Sequence, residues 1–176
     1  MTPLLPYAGI PALEIALLIA CSGRLEAFFL LQRAALTAFG YAAAVSDVKS
    51  KTIPNGLVLA MLAGWVITAV PRLFADTGSA IPIFTGALAG FALGGGLFLL
   101  AYLISRKGLG GGDVKFMAAA GLYLGFDGVL PAMLCGTVLA GIAGLALILL
   151  KKIGRKDAIP LAPFLYAGIL MTVFFM

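Results

Sequence analysis

The chain has no histidine, two cysteines and one tryptophan, and charge is scarce: 12 Lys and Arg against seven Asp and Glu in 176 residues. Without histidine there is no Ser-His or Cys-His nucleophile pair, and most zinc and haem sites are excluded. Cys21 and Cys135 lie far apart inside apolar stretches, with no CxxC spacing. Both read as small buried residues and not as a disulfide or a metal pair. A net charge of +5 scattered among apolar blocks makes no basic face, so a nucleic-acid-binding domain is excluded despite a pI near 9.4. Hydrophobic residues make up 62% of the chain and mean hydropathy is +1.14. Disorder and a water-soluble fold are both excluded. What remains is an all-α, polytopic transmembrane helix bundle.

A crossing helix needs about 20 mainly apolar residues. Cutting at charges and turn residues predicts seven segments: 4–21, 27–45, 56–70, 81–104, 114–126, 129–150 and 158–176. They use nearly the whole chain, which reads as a single integral-membrane domain with residues 1–26 as an extra hydrophobic segment. That first segment carries Glu14 and no basic n-region, so it reads as structure and not as a signal peptide. If it lies on the surface, the count falls to six. Segments 56–70 and 114–126 are short for a crossing.

Basic residues alternate between the connections. One set of loops, holding Lys49, Lys51, Arg106, Lys107, Lys115 and the 151–156 cluster, has nine Lys and Arg; the other has two. The positive-inside rule puts the rich set in the cytoplasm. Arg33 falls inside a segment and is expected to snorkel or to pair with Glu14 or Glu26. Gly86, Gly90 and Gly94, and Ala132, Gly136, Ala140 and Gly144, recur four apart. Such stripes are expected to pack helix against helix.

Among the seven acids, Asp76, Asp127 and Asp157 fall in loops or turns. Asp47 and Asp113 each end an apolar segment on the same side. Asp47 precedes Ile53-Pro54-Asn55, a helix break with an N-cap. Asp113 follows Gly110-Gly111-Gly112, three residues without side-chain bulk where an extended chain could approach. Two carboxylates sharing a site can share a proton, one acting as base and the other as acid. From spacing alone, Asp47 is equally an interfacial acid balanced by Lys49 and Lys51, and the glycine run equally a flexible loop with a cap.

Gly110-Gly111-Gly112-Asp113 resembles the G-x-G-D signature of intramembrane aspartyl proteases. Asp47 with Ile53-Pro54-Asn55, and Gly111-Gly112-Asp113-Val114-Lys115 leading into a small-residue helix, are similar to the two motifs of the type IV prepilin peptidases. The resemblance covers roughly residues 27–150. It implies Asp47 and Asp113 as the catalytic pair, with Gly110, Gly111, Gly112, Pro54 and Asn55 at the substrate backbone. It also implies no cofactor and no metal, prepilin-like substrates and the lipid bilayer as partners, and a plasma-membrane location with the active site facing the cytoplasm. Larger bacterial members carry a four-cysteine zinc domain with methyltransferase activity. This sequence has no such insertion and resembles the short form of Flp (tight-adherence) pilus systems or archaeal preflagellin processing.

Three other classes compete. Intramembrane carboxylates also mark proton relays of small transporters or channels, although a relay needs groups staggered through the bilayer. A structural assembly subunit would use the same glycine stripes. A Ser-Lys protease built on Ser46, Ser50 or Ser105 is weakened because topology already accounts for the lysines.

Overall fold

The computed structural model describes residues 27–75, 77–105, 108–151, 154 and 159–175. The expected segment 4–21, with Glu14 and Cys21, and also Glu26, Asp76 and Asp157, lie outside the described residues. Five helices follow in order: α1 Ala27–Ser50, α2 Asn55–Ala75, α3 Thr77–Ile104, α4 Gly111–Leu149 and α5 Ala162–Phe175. Among the described residues, the first four are long and apolar enough to cross a membrane, and α5 is a shorter apolar helix. The all-helical expectation holds.

One boundary moves. The short segment 56–70 becomes α2, 21 residues that run through Pro71 and Arg72. The Arg72 guanidinium lies 4.5 Å from the centre of the Phe28 ring and 5.1 Å from that of Phe29. Its charge is met by aromatic faces on α1, so it need not end the helix. Segments 114–126 and 129–150, expected as separate spans, both fall within α4, on either side of a break at Gly125.

That element is not straight. Gly125 has φ 67° and ψ −174°, a conformation open essentially to glycine alone. A Cβ placed on Gly94 of α3 would lie 2.6 Å from the Met117 carbonyl and 3.0 Å from Val129 Cγ2. Those two residues would be roughly 18 Å apart along an uninterrupted helix. The chain therefore bends sharply back at Gly125, with Asp127 exposed just beyond.

Small residues allow these approaches, as the stripes predict. A Cβ on Gly90 would collide with the backbone of Gly121, and one on Gly121 with that of Gly90, where α3 meets the first half of α4. Past the bend, α4 runs antiparallel to α5. Gly168 abuts Ala132, the space at Gly136 lies 2.8 Å from Leu165 Cα, and that at Gly144 lies 3.2 Å from Ile159 Cδ1. Gly86 is different, with open space where its side chain would be. Between the seams sits a core including Phe116, Leu36, Met61, Met117, Leu165 and Ile169, all essentially buried.

The bundle thus has two ends. At one lie the C-termini of α1, α3 and α4 and the N-termini of α2, α4 and α5. At the other, Arg33 Nη1 donates to the Val173 carbonyl (3.3 Å). The acceptor lies in the last turn of α5; the expected partners Glu14 and Glu26 lie outside the described residues. A small cavity there, ≈ 60 Å³, is lined by Arg33, Tyr123 and Thr172 among others. Cys135 is a free thiol.

Candidate active site

Asp47 sits in the last turn of α1, with Lys51 closing the helix: the Lys51 N–H donates to the Asp47 carbonyl at 2.8 Å. The connection to α2 is tied down by hydroxyls. Ser46 Oγ donates to the Thr52 carbonyl (3.0 Å), and Ser50 Oγ to the Ser46 carbonyl (2.8 Å). Two of the serines considered as nucleophiles are therefore engaged in turn geometry. Pro54 precedes α2, and its carbonyl accepts the Leu57 N–H at 3.0 Å.

The second motif starts α4. Gly110 is the N-cap, with φ −76° and ψ 137°, and the Asp113 N–H donates to its carbonyl at 3.1 Å. Asp113 is thus a first-turn residue. The alternative reading of it as the capping residue of a flexible loop is corrected, because the backbone of Gly110 already makes the turn.

Both carboxylates are buried, Asp47 6% exposed and Asp113 8%. Both line one cavity of ≈ 180 Å³, together with Lys51, Ile53, Asn55 and the three glycines. Pro54 is not part of its wall. One water occupies about 30 Å³ of liquid, so the space takes several waters or a short length of peptide backbone. The pair is asymmetric. Asp47 Oδ2 accepts the Ala162 N–H at 2.9 Å, across 115 positions of sequence, from the first turn of α5. Asp113 Oδ1 is buried without a hydrogen-bond partner among the described residues. A buried polar atom left unpaired costs roughly 1–3 kcal/mol, a debt a bound water or substrate group would settle.

The three glycines differ in what they allow. A Cβ on Gly110 would lie 2.8 Å from Asp113 Oδ2, so the carboxylate itself occupies that space. One on Gly112 would lie 3.2 Å from Ile53 Cβ and 3.3 Å from Ile53 N, which seats the α4 N-terminus against the segment entering α2. Only Gly111 faces open space. A second tie joins the motifs: Lys115 Nζ donates to Asn55 Oδ1 at 2.9 Å. Sequence reasoning placed Lys115 in the second motif and among the basic loop residues but missed this contact, and it missed Ala162 altogether. Among the described residues, no three of His, Cys, Asp and Glu stand together as a metal site.

A base and an acid on one cavity, beside an open glycine, can activate a water and protonate a carbonyl. Comparison with known proteins bears on this chemistry. No solved structure matches the chain. It is 32% identical over 174 residues to a prepilin leader peptidase/N-methyltransferase of Burkholderia pseudomallei (strain 1026b), covering 96% of this chain and 55% of that one. A protein of the same name from Bacillus subtilis (strain 168) is 30% identical over 130 residues, 73% of this chain and 49% of its own. One from Aeromonas hydrophila is 30% identical over 120 residues, 68% and 40% respectively. The chain spans about half the length of these curated relatives. The model of the type IV leader peptidase family matches residues 34–150, a stretch that holds both aspartates, the glycine run and the Ile-Pro-Asn element. The chain belongs to the type IV leader peptidase family.

Proposed function

We propose that the protein is a membrane-embedded aspartyl endopeptidase that removes the N-terminal leader from type IV pilin-like precursors, of the Flp type or a close relative. The observation that carries the reading is the meeting of Asp47 and Asp113 on one cavity at one end of the bundle. One carboxylate takes a proton from water as its oxygen attacks the scissile carbonyl carbon. The other, protonated, gives its proton to the carbonyl oxygen. Collapse of the tetrahedral intermediate breaks the C–N bond: the leaving amine takes the proton held by the first carboxyl, a hydroxyl of the intermediate returns one to the second carboxylate, and the pair again holds one proton. Gly111 leaves room for an extended backbone beside Asp113.

In this reading α4 crosses the membrane twice, turning at Gly125, and the described residues make six crossings. The described lysines Lys49, Lys51, Lys115 and Lys151 all belong to the aspartate end, whereas Arg33 and Arg72 belong to the other. That division supports a cytoplasmic active site in the plasma membrane. The short form without methyltransferase activity rests on the sequence resemblance. A proton relay is disfavoured because both acids occupy one end. The test is incubation of the purified protein in detergent with a prepilin, read by mass spectrometry. A single cut that releases the leader supports the reading; intact prepilin under conditions where the protein is folded overturns it.

A further inference from the structure

Asp47 and Asp113 line one cavity, but a bond from a distant element reaches Asp47. The donor comes from the start of α5, where the sequence leaves a single candidate. Pro163 has no N–H. The Phe164 and Leu165 N–H groups donate to the Leu161 carbonyl at 3.0 and 3.1 Å. Ala162, fully buried, is the remaining donor of that turn, and it meets Asp47 Oδ2 at 2.9 Å. Packing holds both ends of this bond. Gly168 of α5 abuts Ala132 of α4, and a Cβ on Gly40 of α1 would lie 2.7 Å from Tyr166 Cδ2 of α5. The bundle therefore sets the contact before a substrate enters.

A hydrogen bond is about twice as strong when its acceptor is charged. The Ala162 donor thus favours Asp47 as the carboxylate. Asp113 lies in the first turn of α4, where the helix dipole also favours negative charge. That influence is diffuse, however, and Asp113 Oδ1 is buried without a partner among the described residues. A bare buried oxygen is tolerated better on a neutral carboxylic acid than on a carboxylate. The proton shared by the pair then rests on Asp113. Among the described residues, the other charge on the cavity wall is Lys51. Lys49 is exposed, and Lys115 of α4 is bonded to Asn55 of α2. The sequence of α5 has no charged residue, and its Tyr166 packs edge-on against Tyr41.

We infer that the Ala162 main-chain N–H is a positioning group that holds Asp47 as the base towards water and leaves Asp113 as the acid towards the scissile carbonyl. The inference rests on the peptidase reading. Its test replaces Ala162 in the full chain by lactic acid, an amide-to-ester exchange that deletes this N–H, and reads cleavage of a prepilin in detergent against pH. Without the donor, the pair takes up its second proton, on Asp47, at higher pH. The acidic limb of the kcat profile will move up by roughly one pH unit, so kcat on that limb will fall roughly tenfold. The alkaline limb will stay, and KM will remain within about twofold. Replacing Phe164 by phenyllactic acid, which deletes another N–H of the same turn, will leave both limbs in place. Should the Ala162 ester not fold, Ala162→Pro lacks the same donor and is read in the same way. A shift of the alkaline limb would make Asp47 the acid, and a folded, active variant with neither limb moved would make the contact structural only. Either result overturns the inference and leaves the peptidase reading standing. A folded wild type that cuts no prepilin overturns both.

Discussion

Glycine is used in two places for two opposite purposes. Along the α3–α4 seam, Gly90 and Gly121 face each other's backbones, and Gly94 meets Met117 and Val129. At the start of α4, Gly110 leaves room for the Asp113 carboxylate, Gly112 rests on Ile53, and Gly111 opposes nothing. In lipid the hydrophobic effect does not drive helices together, so the seam depends on close backbone approach. The glycine run instead shapes a space around two acids. One region stabilises the bundle, and the other leaves it locally unfilled. Substitutions can separate the two roles.

The largest effect belongs to the seam. Gly121→Leu drives a side chain into the Gly90 backbone and is expected to cost about 4 kcal/mol or more. Thermal unfolding in detergent should show loss of the folded protein, while Gly86→Leu on α3, one turn from Gly90 and facing open space, should unfold as the wild type does. Next comes Gly110→Ala, whose methyl must displace Asp113 Oδ2. Cleavage should fall roughly 100-fold, as a misplacement of about 1 Å can cause, with unfolding temperature little changed. Gly112→Leu should lose most activity through its clash with Ile53, while still expressing and inserting. Lys115→Met removes the tie to Asn55 and is expected to cost about 1 kcal/mol at this exposed position. The smallest effect is Gly111→Ala, within about twofold in kcat/KM, because its methyl enters open space. Should Gly110→Ala and Gly111→Ala behave alike, the distinction between them disappears.

The helices and both aspartates were legible because apolar length and the paired motifs are local signals. What escaped depended on partners distant in sequence. Asp127-Gly128 carries the usual turn chemistry, yet the bend falls at Gly125, where only a backbone angle marks it. Arg72 looked like the end of a segment until the rings of Phe28 and Phe29 supplied its surroundings. Ala162 acts on Asp47 through a main-chain N–H, a group every residue but proline possesses, so no side chain announced it. Arg33 donates to the carbonyl of Val173, a partner that no local pattern marked.

The proposed mechanism requires the two carboxylates to act as one unit. The direct measurement is the rate of leader removal by Asp47→Asn, Asp113→Asn and the double variant, each first shown to be folded in detergent. Asparagine cannot exchange a proton with water, so each single variant should abolish cleavage, and the double should be hardly worse than either, because residues acting together are strongly non-additive. Asp127→Asn, exposed beyond the bend, should stay active, and the wild-type pH–rate profile should be bell-shaped with two apparent values belonging to the pair. A folded Asp47→Asn or Asp113→Asn protein that releases the leader near the wild-type rate would contradict the shared-carboxylate mechanism.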